Sequence, residues 1–370
     1  LNAQWQGRAA GTRFELKGGL NRSSSQNHSS RQEFGTLTQR LDTSTDVADS
    51  GWSTGGKLSR PFGADHSVAI GWESEGRHRT ETKVSASDVR PVASDLSDNA
   101  NARSLRAAVW AQDEWNFSST WSAYAGLRWE AITTTSELAN VATANGSGAL
   151  RNRSRVWSPL LHSVWKLDEA SKDQIRFALT RSYRNPTLQN LIARPNPDFN
   201  DSPTQPLLIG NPALLPELAT GVDLAFEHYL SAGGLASVSL FQRRISNLIR
   251  TLTTQELVNL TGTPEPRWVA RPQNVGNAVS SGVELEAKAR LAEVWQASWG
   301  AVPNVDLRSN LSVFRSKVSG VDGPDNRLDQ QPRASANVGA DWKLATLPLT
   351  LGTNLNWTPS GRVTLSSDAA

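Results

Sequence analysis

Gly51 and Gly56 followed by Lys57 carry the spacing of a phosphate-cradling loop, in which backbone amides and a lysine hold a nucleotide. Position 58 is Leu where a Ser or Thr hydroxyl would hold magnesium, and no strand, loop and helix pattern surrounds the run, so no nucleotide site is expected. The five histidines, His28, His66, His78, His162 and His228, are far apart, and none has a partner at metal-ligand spacing. With no cysteine in the chain, disulfides, thiolate metal sites and cysteine nucleophiles are excluded. His66, His162 and His228 fall in strand-like segments and show no Ser-and-acid set of companions in sequence, which speaks against a hydrolase triad. The expectation is therefore no catalytic residue, no metal and no cofactor. The acidic runs 198–201 and 322–325 read as solvated turns, with ligand or ion contact as the alternative.

The elements that must position any site are strands. Only 38% of the 370 residues are apolar, and 14 Trp stand against 3 Tyr, which does not describe a thick soluble core. No stretch approaches the roughly 18 continuous apolar residues of a membrane helix. A membrane β-barrel needs only about five outward apolar side chains per crossing, so its mean hydropathy stays low. In 120–131 the odd positions Trp121, Ala123, Ala125, Leu127, Trp129 and Ala131 are apolar, while the even ones include Tyr124, Arg128 and Glu130. In 281–291 Val283, Leu285, Ala287, Ala289 and Leu291 alternate with Glu284, Glu286, Lys288 and Arg290. A helical period would mix these sets. Similar alternation recurs near 12–22, 65–72, 104–115, 156–167, 174–183, 218–230, 235–245, 305–313 and 332–344, giving about fourteen strands by this reading.

Tight turns near 61–64, 116–119, 168–172, 231–234 and 345–347 separate longer polar stretches near 23–50, 83–103, 136–153, 185–216, 256–266 and 320–329. Short turns at one end and long loops at the other are the connectivity of outer-membrane barrels. Trp115, Trp121, Trp165, Trp342 and Trp357 stand mostly at or near strand ends, where an aromatic girdle meets headgroups. The competing soluble sandwich lacks this long and short rhythm. A formal charge of +3 with scattered basic residues gives no footprint for nucleic acid.

Several motifs resemble the C-terminal barrel of TonB-dependent receptors, and the likeness covers nearly the whole chain. Ala111 to Trp115 followed by Gly126-Leu127-Arg128-Trp129 resembles one of the family's hairpins, and Tyr183-Arg184-Asn185-Pro186-Thr187 a strand end turning into a long loop. The most specific run is Gly210-Asn211-Pro212-Ala213-Leu214-Leu215-Pro216-Glu217. Phe241 to Ile249 is similar to a single further strand, and Asn274, Gly276, Ala278 and Gly282-Val283-Glu284-Leu285-Glu286 to the next. Most of these residues read as scaffold, with Pro216 and Pro332 placed where no ladder donor is required.

The resemblance implies an all-β fold, a transmembrane antiparallel β-barrel present in part, about 14 of an expected 22 strands, with the N-terminal plug absent from residues 1–370. Position 1 is not Met and the chain ends Asp368-Ala369-Ala370 without a terminal aromatic, so about four strands are expected to be missing at each side. It further implies an outer-membrane receptor for energised uptake of a ferric siderophore or similar metal complex, with vitamin B12, haem or oligosaccharide as other cargoes. The implied partners are the bilayer and an inner-membrane energy-transducing complex acting through the plug. A passive porin, a barrel enzyme and a soluble adhesin are the competing classes. By side-chain parity Arg128, Glu130, Arg176, Glu284, Glu286, Lys288 and Arg290 face the lumen, where they would hold a plug. In the 184–216 loop, Arg184, Arg194 and Phe199 are the ligand-contact candidates, by the affinity of arginine and aromatic groups for an anionic chelate. The loops near 83–103 and 136–153 are further candidates for capture.

Overall fold

A strand in hydrocarbon must find every backbone partner in a neighbouring strand, which forces pairing along its whole length. The computed structural model of the chain describes residues 1–33, 39–87, 98–138, 150–169, 172–187, 190–191, 202–204, 206–230, 233–259, 264–295, 302–320, 326–329 and 331–360. An antiparallel meander runs through β1 (Asn2–Ala9), β2 (Thr12–Glu33), β3 (Gln39–Phe62), β4 (His66–Ser87), β5 (Asp98–Asn116), β6 (Trp121–Leu138), β7 (Leu150–Lys166) and β8 (Gln174–Arg184). After the two-residue β9 (Leu207–Leu208), β10 (Glu217–Tyr229) pairs with β8, and β11 (Leu235–Ser246) with β10. Then β12 (Ile249–Asn259) and β13 (Pro264–Asn274) form a separate hairpin, and β14 (Ala278–Arg290) returns beside β11. β15 (Val305–Val318), β16 (Ala334–Lys343) and β17 (Thr350–Trp357) complete a sheet of 14 strands whose edges are β1 and β17. The sheet is open, a partial barrel, as the resemblance implies.

Connections follow the expected rhythm. Ala10 and Gly11, at φ 46° and 76°, make a two-residue turn between β1 and β2, the left-handed pair that matches strand twist. At the same end lie the turns between β3 and β4, β5 and β6, β7 and β8, β10 and β11, and β16 and β17. His66, Trp115, Phe117 and Trp121 stack there in sequence, with ring centroids 5.0, 3.8 and 4.4 Å apart. Trp165 lies opposite Trp121 in the register, and Trp342 sits one residue from the end of β16. Trp357 is the exception, closing β17 at the opposite end.

Two expectations need correction. The stretch 23–50 is not a long loop: β2 and β3 stay paired out to Glu33 opposite Gln39. Its residues, Ser-Ser-Ser-Gln-Asn-His-Ser-Ser-Arg in β2, have no apolar alternation because neither face requires it, so periodicity is silent where the ladder continues. Strands of 22 and 24 residues outrun the roughly 9–11 needed to cross hydrocarbon. Phe241 to Ile249 is likewise not one strand: the chain bends at Asn247, φ 57°, facing Gly276, φ 118°, in the connection between β13 and β14.

The two faces differ as parity requires. Leu127, Trp157, Leu161, Leu240, Val283 and Val313 are exposed on the apolar face. Buried side chains gather on the polar face, where Ala108, Glu130 and Val156 stand on β5, β6 and β7, and in a small cluster of Leu248, Ala278 and Val318 beneath the bend.

Candidate functional site

On β4 and β6 the polar face carries charged residues two apart, Glu73 with Glu75 and Arg128 with Glu130, and Arg106 of the intervening β5 stands between them. Glu130 is only 2% exposed and accepts from the Arg128 guanidinium at 2.8 Å and from Arg106 at 3.3 Å. Arg128 also reaches Glu73 at 2.7 Å, and Arg106 reaches Glu75 at 3.1 Å. The Tyr183 hydroxyl donates to Glu130 from β8. A buried carboxylate is tolerable only when its lone pairs are filled in this way. The cluster joins four strands, and each of its carboxylates, Glu73, Glu75 and Glu130, is paired with a guanidinium.

A second arrangement forms at the long-loop end, where residues 210–217 meet the bend between β11 and β14. Asn274 Oδ1 accepts from the Leu215 amide at 2.9 Å, and its Nδ2 donates to the carbonyls of Leu215 at 3.1 Å and Asn247 at 2.7 Å. The Asn247 side chain donates to the Pro216 carbonyl, and Glu217 accepts from the Ile249 amide at 2.7 Å. From the other side, Asn152 of β7 donates to the carbonyls of Pro212 and Leu214, and Asn211 to that of Pro272. Leu214 is fully buried beneath this mesh. Asparagine suits such a junction because one side chain supplies both donor and acceptor to irregular backbone. The mesh fixes the antiparallel hairpin of β12 and β13, and β13 binds β9 in parallel to make a second, three-stranded sheet.

The family model for the TonB dependent receptor-like beta-barrel matches residues 1–369. The chain belongs to this family. Its members are outer-membrane β-barrels, receptors and transporters rather than enzymes. Among solved structures, this receptor barrel is similar to the ferric citrate transporter FecA in its unliganded form, at 14% identity and a TM-score of 0.65, over 96% of this chain and 48% of that one. It is similar to the ferric-catecholate import receptor Fiu of E. coli K12, at 14% identity and 0.64, over 96% and 52%. It also matches the ferric yersiniabactin uptake receptor FyuA of Yersinia pestis, at 14% identity and 0.61, over 100% and 50%. The chain thus spans about half the length of these structures. No curated protein matches it.

Against this family frame the expected site residues separate. Arg128 and Glu130 meet in the buried cluster described above. Arg176 is paired with Glu227 at 3.0 Å, Lys288 with Glu286 at 2.5 Å, and Arg290 approaches Asp306 at 3.9 Å, all nearer the short-turn end. Glu284 shares their parity and makes no ion pair among the described residues. Arg184 ends β8, 70% exposed at the side chain, and pairs with Glu217 at 2.5 Å. Arg194, Phe199 and the acidic runs 198–201 and 322–325 lie outside the described residues. Sequence reasoning missed Glu73, Glu75, Arg106 and Tyr183. Glu73 and Glu75 are two apart in β4, a signal that parity could have used once the register was known. The asparagines of the mesh sit inside the quoted motifs, but nothing local in a sequence says which carbonyls they reach.

Proposed function

We propose that this chain is the barrel portion of an outer-membrane receptor for energised uptake of a ferric siderophore or a similar bulky metal complex. The family match along residues 1–369 carries the reading. The polar face supports it. Its charges Arg176, Glu284, Glu286, Lys288 and Arg290 offer a wet wall against which a plug can be held and released by an inner-membrane energy-transducing complex. Arg184 stands at the mouth of the 184–216 connection, and with Arg194 and Phe199 it supplies the charge and stacking surface suited to an anionic chelate. The path requires no covalent step, only differential binding between a closed and an opened plug.

The test is uptake of radiolabelled ferric siderophores by iron-starved cells with and without the gene that encodes this chain. Loss of uptake on deletion, together with loss on collapse of the proton-motive force, is the expected result. Uptake that depends on the gene but ignores the proton-motive force would make the barrel a passive channel.

A further inference from the structure

The two faces of the sheet treat charge differently at the same height. On the polar face arginines and carboxylates alternate and pair. On the apolar face, one hydrogen-bonded row across six strands reads Arg22, Ser50, His78, Arg103, Thr135 and Arg151. The rows beneath it add Arg153 and then Arg155, opposite Thr133 and Ala131, before the row that holds Trp72, Val109, Trp129 and Trp157. None of these positions is acidic. Arg22, Arg103, Arg151, Arg153 and Arg155 are exposed and form no ion pair among the described residues.

The pattern recurs on the other half of the sheet. Phe177, Leu224, Leu240, Val283 and Val313 form an apolar row, and two rows further from the short turns the same strands present Arg181, Thr220, Arg244, Val279 and Lys317. A cationic collar therefore stands along the rim of the lipid-facing wall. Its height is set by the chain: Arg153 is twelve residues along β7 from Trp165 in the short-turn girdle. That slightly exceeds the roughly 9–11 residues that cross the hydrocarbon, which puts the guanidinium groups at the headgroups of the far leaflet.

A groove opens at this level, of about 480 Å³, lined by Leu20, Trp52 and Leu105 on its apolar side and by Thr135, Arg103 and Arg151 on its polar side. Gly76 lets the Trp52 ring form its wall, since the ring lies where a Cβ of Gly76 would be. Arg103 and Arg151 flank Thr135 from the two adjacent strands, a backbone separation of about 10 Å that long side chains close onto one polyanionic headgroup.

We propose that this collar and groove bind a multiply phosphorylated anionic lipid of the outer leaflet, its phosphates held by Arg103, Arg151 and Arg153 and its chains laid along Trp52 and Leu105. The proposal rests on the outer-membrane reading. Charge complementarity and depth select the occupant: unpaired guanidinium groups above an apolar wall match phosphates above acyl chains.

The experiment uses the protein extracted from outer membranes, delipidated, and returned to detergent micelles doped with diphosphoryl lipid A, monophosphoryl lipid A or phosphatidylethanolamine, with native mass spectrometry counting retained lipid. Retention should follow phosphate number, and inorganic phosphate at equal concentration should not displace the lipid. The triple variant R103Q/R151Q/R153Q should weaken retention by about a hundredfold, at about fivefold per arginine, while R103K/R151K/R153K keeps most of it. Equal retention of all three lipids by the wild type overturns the proposal without any variant, as does displacement by inorganic phosphate. Absence of the protein from the outer-membrane fraction overturns the functional reading as well, whereas presence there without lipid preference overturns the lipid site alone.

Discussion

Glu130 and Glu284 share a parity but not an environment. Glu130 is buried between Arg106 and Arg128, so Glu130→Gln removes the negative centre of a cluster and leaves two guanidinium groups facing each other across β5 and β6. Because both arginines keep partial contact with solvent, the cost should fall below the ~3–5 kcal/mol of a fully buried broken pair, at about 2 kcal/mol. Glu284→Gln should change stability by less than about 0.5 kcal/mol. Urea unfolding in lipid vesicles measures both, and equal midpoint shifts would show that the buried cluster holds nothing together. Asp173, in the turn before β8, gives a pH readout. His228 donates to it at 2.7 Å and the Tyr229 amide at 3.0 Å, and these bonds hold its carboxyl below the ordinary aspartate value. A group with a lowered folded-state pKa contributes stability above its unfolded value and loses it as pH falls through the folded one. Exchange protection of the Tyr229 amide should thus survive acidification through the ordinary aspartate range and collapse only below it. In Asp173→Asn that step should vanish.

At the scale of elements, the hairpin β12 and β13 depends on its asparagines. Asn274 makes three hydrogen bonds to backbone across the bend, each worth about 1 kcal/mol. Asn274→Ala should accelerate amide exchange in Ile249–Asn274 by roughly thirtyfold or more while β14 and β15 keep their protection, since hairpin and sheet open as separate units. Uniform loss over both would mean that they open as one. This hairpin also marks where the sequence stopped being legible. Strands that face lipid on one side write that fact into every second residue, and β6, β11, β14 and β16 could be read from it. The hairpin and the upper halves of β2 and β3 face no lipid, so the same rule has nothing to detect there. The Gly210 to Glu217 run was recognisable as a motif, yet its physical role lies in contacts with residues some sixty positions away along the chain, which no local pattern encodes. The buried cluster stood between these cases: parity placed Arg128 and Glu130 on the polar face, but only the register to β4 and β5 brings them Glu73 and Arg106.

For the whole molecule, the orientation of the wall decides everything else, because it assigns one face to lipid and the other to the barrel interior. It makes a depth-dependent prediction that no soluble sheet shares. Leu161 is exposed midway along β7 between Trp157 and Trp165, the centre of the apolar band. Thr133 is on the same face of β6, opposite Arg153, at the level of the collar. An arginine at the bilayer midplane costs about 2–4 kcal/mol and one near the interface about 0–1 kcal/mol. Leu161→Arg should therefore lower unfolding stability in phospholipid vesicles by several-fold more than Thr133→Arg, although both replace an outward residue on neighbouring strands. A soluble sheet would show both at the small cost of surface changes, and the difference between the two variants would disappear. A gap that persists in vesicles but closes in detergent of short chain length would tie it to hydrocarbon thickness, and so to the span between the Trp165 girdle and the arginine collar.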